Sequence, residues 1–232
     1  MTHNPFPALD VLYLDNHLLV VRKPAGLLVQ GDRSGDPTLL EAAREHVRRV
    51  YAKPGNVFMG LVHRLDRPVS GVVVFARTSK AAARLSEQFR TRTPRKRYWA
   101  LVKGAMPEAG ELVDRLERKG QTSAIATGDA GQEARLSYRR LGMRGGVSWL
   151  EIDLHTGRHH QIRLQLAHHG HPILGDYRYG DGTGFPDRAV ALHAVSLEID
   201  HPTRRVPLRF WAEPEPRWPA HFRMDLPANP AP

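Results

Sequence analysis

Asp66 stands between Arg64 and Arg67 in the run His63-Arg64-Leu65-Asp66-Arg67-Pro68-Val69-Ser70-Gly71, just ahead of an apolar stretch. A carboxylate so flanked is expected to be held rather than merely solvated, and a held carboxylate can act as a nucleophile or stabilise a developing cation. Taken alone the run reads as a surface ion pair, which adds little. Two later blocks change that reading: Arg95-Lys96-Arg97-Tyr98-Trp99-Ala100-Leu101-Val102 and Thr156-Gly157-Arg158-His159-His160-Gln161-Ile162-Arg163-Leu164-Gln165-Leu166-Ala167. Tyr98 offers a ring that can stack on a planar group and a phenol that is a poor base near neutrality unless tuned.

These residues need elements to present them. Short apolar clusters at 18–21, 72–75, 98–102 and 149–154, rich in branched or aromatic residues and bounded by Gly, Pro, Asp or Asn, predict strands. Residues 79–92 predict a helix, with Ser79 as N-cap and Ala82, Leu85 and Phe89 at helical spacing. Residues 159–169 predict a second helix stopped by Gly170. At about 100° per residue, Ile162, Leu164, Leu166 and Ala167 share one side and Gln161, Gln165, His168 and His169 the other. Arg163 falls inside the apolar arc, and an arginine facing the interior calls for a carboxylate partner. Asp66 is the expected one.

Composition sets the bounds. The chain has 232 residues, 41% apolar and 25% charged, ordinary for a globular protein. The absence of cysteine excludes disulfides, thiolate metal sites and a cysteine nucleophile. No apolar run approaches membrane-span length and no basic, apolar leader follows Met1, so a cytoplasmic protein without membrane contact is expected. A net charge of +10 suits a polyanionic partner such as nucleic acid, although the excess is mostly arginine and can follow from genome base composition. No internal repeat is evident. Residues 1–213 are expected to form one catalytic domain, followed by a loose proline- and alanine-rich tail over 214–232.

The three blocks, in this order, resemble the RluA family of RNA pseudouridine synthases, whose motifs are an H-R-L-D-x-x-[TS]-S-G run, a K/R-x-Y strand start and a T-G-R-x-H-Q-[IL]-R helix. The resemblance extends from Leu18-Leu19-Val20-Val21-Arg22-Lys23-Pro24-Ala25-Gly26 to Leu192-His193-Ala194 and the His201-Pro202 turn. Val69 departs from it, standing where many relatives carry threonine. The resemblance implies an α/β fold of the α+β type, a mixed, mostly antiparallel central sheet flanked by helices and loops. It implies isomerisation of uridine in ribosomal or transfer RNA, with no metal or organic cofactor and no obligate protein partner, the chain acting as a monomer. Asp66 becomes the catalytic nucleophile, Tyr98 the residue stacking on the target base and the candidate for removing its C5 proton, and Arg163 the ion-pair partner. Arg64 becomes the side chain that fills the vacated base stack, and Ile162 and Leu164 line the substrate site. Arg92, Arg95, Lys96 and Arg97 would contact phosphates. His63, Arg67, Ser70 and Gly71 would shape the loop that presents Asp66.

Many relatives carry a small RNA-binding domain ahead of the catalytic one. Here the first catalytic-type strand is expected almost at the start, so target choice would fall to loops such as residues 106–131. Two other readings compete. One is a non-catalytic RNA-binding or assembly factor on the same fold. The other is a metal-dependent hydrolase built from His155, His159, His160, His168, His169 and His171, although that set shows no carboxylate third ligand nearby in sequence.

Overall fold

The computed structural model describes residues 8–127, 130–187 and 189–219. In chain order the elements are β1 (Asp10–Leu14), β2 (Leu18–Lys23), α1 (Leu39–Val50), β3 (Gly60–Leu61), β4 (Ser70–Ala76), α2 (Ser79–Thr91) and β5 (Arg95–Lys103). They continue with β6 (Ala109–Lys119), β7 (Thr122–Ile125), β8 (Gln132–Arg144), β9 (Val147–Leu154), α3 (Gln161–His168), β10 (Leu192–Asp200) and β11 (Pro207–Trp211). This is the expected α+β class, with antiparallel strand pairs and few helices. The chain divides into two compact units, Met1–Pro94 with Ser196–Glu213, and Arg95–Val195 with Pro214–Pro232. The crossings fall at the start of β5 and inside β10, where no change of composition marks a boundary, and after Glu213, where the proline- and alanine-rich stretch begins.

In the first unit β2 pairs with β1 on one side and β4 on the other, β3 pairs with the end of β4, and β11 pairs with β10. Every residue of β4 is buried, as its unbroken apolar run requires. Leu18, Val20, Val72, Val74, Leu197, Ile199 and Phe210 form the core with Ala81 and Leu85 of α2. Fully burying a leucine such as Leu85 contributes about 2 kcal/mol. The N-cap of α2 is Thr78, one residue earlier than the sequence suggests: its Oγ1 accepts the backbone N–H of Ala81 at 3.2 Å. The sequence reading passed over α1, although Thr38 and Glu41 form a capping box at its start, with N–H···O distances of 3.2 and 2.9 Å.

In the second unit the strand order is β5-β9-β8-β6-β7. Residues 106–131, expected as a loop, instead supply β6 and β7, paired as a hairpin from Leu116↔Ile125 to Lys119↔Thr122. Leu112 and Leu116 point inward while Val113 is exposed, and the charged residues between them mask this alternation. The unit's interior includes Trp99, Leu101, Leu136, Leu150 and Ile152, with Trp99 and Trp149 edge to face at 5.3 Å. Trp218 is also buried, near Phe185 and His193, so the proline-rich segment is ordered at least that far; residues 220–232 lie outside those described. Among the described residues no helix is long and apolar enough to cross a membrane.

Candidate active site

The loop carrying Asp66 belongs to the first unit and is braced from β2. Lys23, at the end of that strand, is fully buried, and its Nζ donates to the carbonyls of Pro24 at 3.0 Å, Leu27 at 2.7 Å and Arg67 at 3.0 Å. A buried ammonium needs such partners, and satisfying them ties the turn after β2 to the Asp66 loop. Gly26 N–H donates to the Arg67 carbonyl at 2.8 Å, and Arg67 Nε returns a bond to the Gly26 carbonyl at 3.0 Å. Gly26 has φ +90°, which a side-chain-bearing residue would adopt only with strain. The Arg67 guanidinium also reaches Asp36 at 2.7 Å, so this arginine braces the loop.

Within the loop, Val69 N–H closes a turn on the Asp66 carbonyl at 3.1 Å, and Ser70 and Val69 are buried. Gly71, with φ +126°, pairs with Lys23 across the strands. His63 stacks on Phe89 of α2 at 4.7 Å, and its Nε2 accepts the Val74 N–H at 3.0 Å, which makes it an anchor. Asp66 is half-buried and Arg64 is exposed. The sequence reading missed Lys23 as a positioning residue; the signal was a lysine followed by Pro-x-Gly at a strand end.

In the second unit Arg163 is buried, and its described carboxylate partner is Asp176, which sequence reasoning did not single out. Nε donates to Oδ2 at 2.8 Å and an Nη to Oδ1 at 2.9 Å. Asp176 sits in a turn whose N–H groups at Arg178 and Tyr179 also point at Oδ1, at 2.9 and 3.2 Å. Burial pushes the Asp176 carboxyl up, but the Arg163 hydrogen bonds and charge, with those two N–H groups, outweigh it and hold it below the usual carboxylate range. The Arg163 guanidinium lies 5.4 Å from the centre of the Tyr179 ring. The sequence offered a cue in the glycine-bounded turn Gly175-Asp176-Tyr177-Arg178-Tyr179-Gly180.

Helix α3 is shorter than 159–169 and is buried on more than one side. Gln161 and Gln165, expected on the open face, are buried. Gln161 Oε1 accepts from Thr156 Oγ1 at 2.7 Å and from Arg158 N–H at 3.1 Å, which explains the Thr156 and Gln161 of the motif as a helix-start clasp. Gln161 Nε2 donates to Gln165 Oε1, and Gln165 Nε2 reaches the carbonyls of Leu112 and Ala134. Strand carbonyls need donors where the helix covers them, and glutamine amides supply them. The helix starts after His160, which holds φ +56°, and stops before Gly170 at φ +84°.

Tyr98 is half-buried on β5, opposite Ile152. Ile162 and Leu164 are buried, and Leu164 joins Leu116 and Ala134 in a small cluster. Arg92, in the first unit, ends α2 in the left-handed conformation and is exposed; Arg95 is exposed in the second. Lys96 is half-buried, with its Nζ beside Gly157. Arg97 is engaged with Asp153 at 3.3 Å and Glu151 at 3.8 Å. The histidines fall into separate places: His155 meets Ser137, His159 and His160 stack on each other at 3.7 Å and meet Ser123 and Tyr179, and His171 meets the Lys103 carbonyl. His168 and His169 lie beside Asp114, the nearby carboxylate that sequence order concealed.

The first unit thus presents Asp66 on a braced turn, and the second presents Tyr98 half-buried on β5 and Arg163 fixed by Asp176. A sequence model described as RNA pseudouridylate synthase matches residues 17–168. A ribosomal large subunit pseudouridine synthase D of Xylella fastidiosa is 38% identical, over 88% of this chain and 65% of that protein. Its Pseudomonas aeruginosa counterpart is 36% identical, over 90% and 68%. A tRNA pseudouridine synthase C of Salmonella typhimurium is 35% identical, over 90% and 87%. The chain thus spans about two thirds of the length of the first two of these relatives. Human RNA pseudouridylate synthase domain containing 4 shares the fold, with TM-score 0.75 and 24% identity over 93% of this chain and 92% of that one.

Proposed function

Because the chain belongs to the RNA pseudouridylate synthase family, we propose that it isomerises uridine in structured RNA to pseudouridine, with Asp66 as the nucleophile. The observation that carries this reading is the match over residues 17–168, which spans the Asp66 loop, Tyr98 and Arg163 together. The reaction detaches the base from C1′ of the ribose, turns it, and rejoins it through C5; the C5 proton leaves and a proton returns to the vacated nitrogen. Neither a redox step nor a group donor is required. Asp66 assists cleavage of the glycosidic bond, Tyr98 stacks on the freed base and is the proposed acceptor of its C5 proton, and Arg163 acts as counter-ion to Asp66. Asp176 fixes the orientation of the Arg163 guanidinium before any substrate arrives.

Reaching C1′ and C5 requires the nucleotide to leave the stack, which costs a few kcal/mol. Arg64 is the side chain proposed to fill the gap, since a flat guanidinium can replace a base. Its exposure on the Asp66 loop supports this. Arg92, Arg95 and Lys96 are proposed phosphate contacts. The chain is proposed to act as a monomer in the cytoplasm. Its relatives carry names for ribosomal and for transfer RNA enzymes, so either RNA class is a candidate substrate. The test is to incubate the chain with each unmodified transcript and map pseudouridine by carbodiimide adducts that arrest reverse transcription. A new arrest at one or a few uridines in one class supports the reading and identifies the substrate; RNA binding with no arrest in either would favour the non-catalytic factor.

A further inference from the structure

We infer that Asp114, His168 and His169 form a binding site for a divalent transition ion of the zinc class. One ligand atom from each lies within 4.8 Å of the others. His169 Nε2 is 3.2 Å from both Asp114 carboxylate oxygens. Donors sharing a tetrahedral zinc at bond lengths of about 2.0–2.2 Å stand ~3–4 Å apart, so small side-chain rotations bring this trio into place. Two imidazoles and a carboxylate make a donor set suited to zinc, nickel or cobalt and poorly suited to magnesium or calcium.

The carboxylate is also oriented from behind. Asp114 Oδ2 accepts from Gln165 Nε2 at 2.7 Å, and Gln165 is fully buried and hydrogen-bonded in turn to Gln161. Metal-ligating carboxylates are characteristically supported by such outer hydrogen bonds. The site spans two elements, since Asp114 lies on β6, His168 ends α3 and His169 caps it. His168 and His169 are exposed, so an ion can enter from solvent and complete its coordination with water. The ion would tie α3 to β6 in the folded state, and a ligand bound only there raises stability. This inference stands apart from the isomerase reading, whose chemistry balances without a metal.

The test uses the full-length, untagged protein, chelator-stripped and gel-filtered, titrated with Zn²⁺ in a calorimeter and with Co²⁺ followed by its visible absorption. Binding of one equivalent is expected, with a zinc-dependent rise in Tm. His168→Ala and His169→Gln should each weaken binding at least about tenfold, as loss of a ligand does, while His155→Ala, outside the cluster, leaves it unchanged. Absence of saturable binding near one equivalent, or a His168→Ala/His169→Gln double variant that folds normally and binds Zn²⁺ as tightly as the parent, would overturn the assignment.

Discussion

Arg163 and Asp176 face each other side-on, two N–H donors against two carboxylate oxygens, with side chains only 6% and 1% exposed. Such a pair stabilises less than its geometry suggests, because both charges have left water, but removing one member strands the other. Arg163→Met and Asp176→Ala should therefore each cost about 3–5 kcal/mol. The double variant should cost less than the sum of the two. Urea unfolding of the four proteins, read as a double-mutant cycle, checks this.

Lys23 makes a second stability prediction with a functional readout. Lys23→Met leaves the carbonyls of Pro24, Leu27 and Arg67 without their ammonium donor, at a cost on the order of 3 kcal/mol. The Asp66 loop loosens with it. At a temperature where the variant is still folded, kcat should fall more than RNA affinity does, as measured by single-turnover kinetics and filter binding.

Asp15 ties the turn after β1 to the turn after β10. It accepts from the N–H groups of His17 and Leu18 at 2.7 Å, from Tyr13 at 2.9 Å, and from buried His201 at 2.8 Å. His201 Nδ1 accepts the backbone N–H groups of Thr203 and Arg204, which leaves the proton on Nε2 to face Asp15. Burial opposes ionisation of Asp15, but these hydrogen bonds prevail and lower its pKa to about 2. The folded-state pKa lies below the unfolded value near 3.8, so the stabilisation is present above pH 4 and is lost as pH falls towards 2. With the carboxylate 24% exposed, solvent screening keeps the effect below about 2 kcal/mol. Thermal melts from pH 6 to pH 2 should show a smaller acid loss for Asp15→Asn than for the parent.

The candidate residues and the strands that carry them were legible because their motifs are local. The runs around Asp66, Tyr98 and Arg163 each fall on one element or turn, and the apolar clusters marked β2, β4, β5 and β9. What escaped was set by packing between elements. Gln161 and Gln165 look like an open helical face until strand carbonyls at Leu112 and Ala134 claim their amides. Asp176 is thirteen residues beyond Arg163, in a turn with no apolar period to announce its return. Asp114 joins His168 and His169 only through the β6–α3 contact, and β6 itself was hidden by charged residues on its outer face.

The basic residues divide by their present partners. Arg95 is exposed, whereas Arg97 is already engaged with Asp153 and Glu151. Arg95→Ala should lower the slope of log affinity against log salt by about one, as loss of a phosphate contact does. Arg97→Ala should change it less. Binding isotherms at several salt concentrations distinguish the two.

The central claim is that the Asp66 carboxylate performs the chemistry. RNA carrying tritium at uridine C5 releases it when pseudouridine forms, so the direct measurement compares release by the parent with that by Asp66→Asn, each at matched RNA occupancy. Stoichiometric release by the parent is expected, and none above background by a folded, RNA-binding Asp66→Asn protein. Release by Asp66→Asn at a rate near the parent's would contradict it.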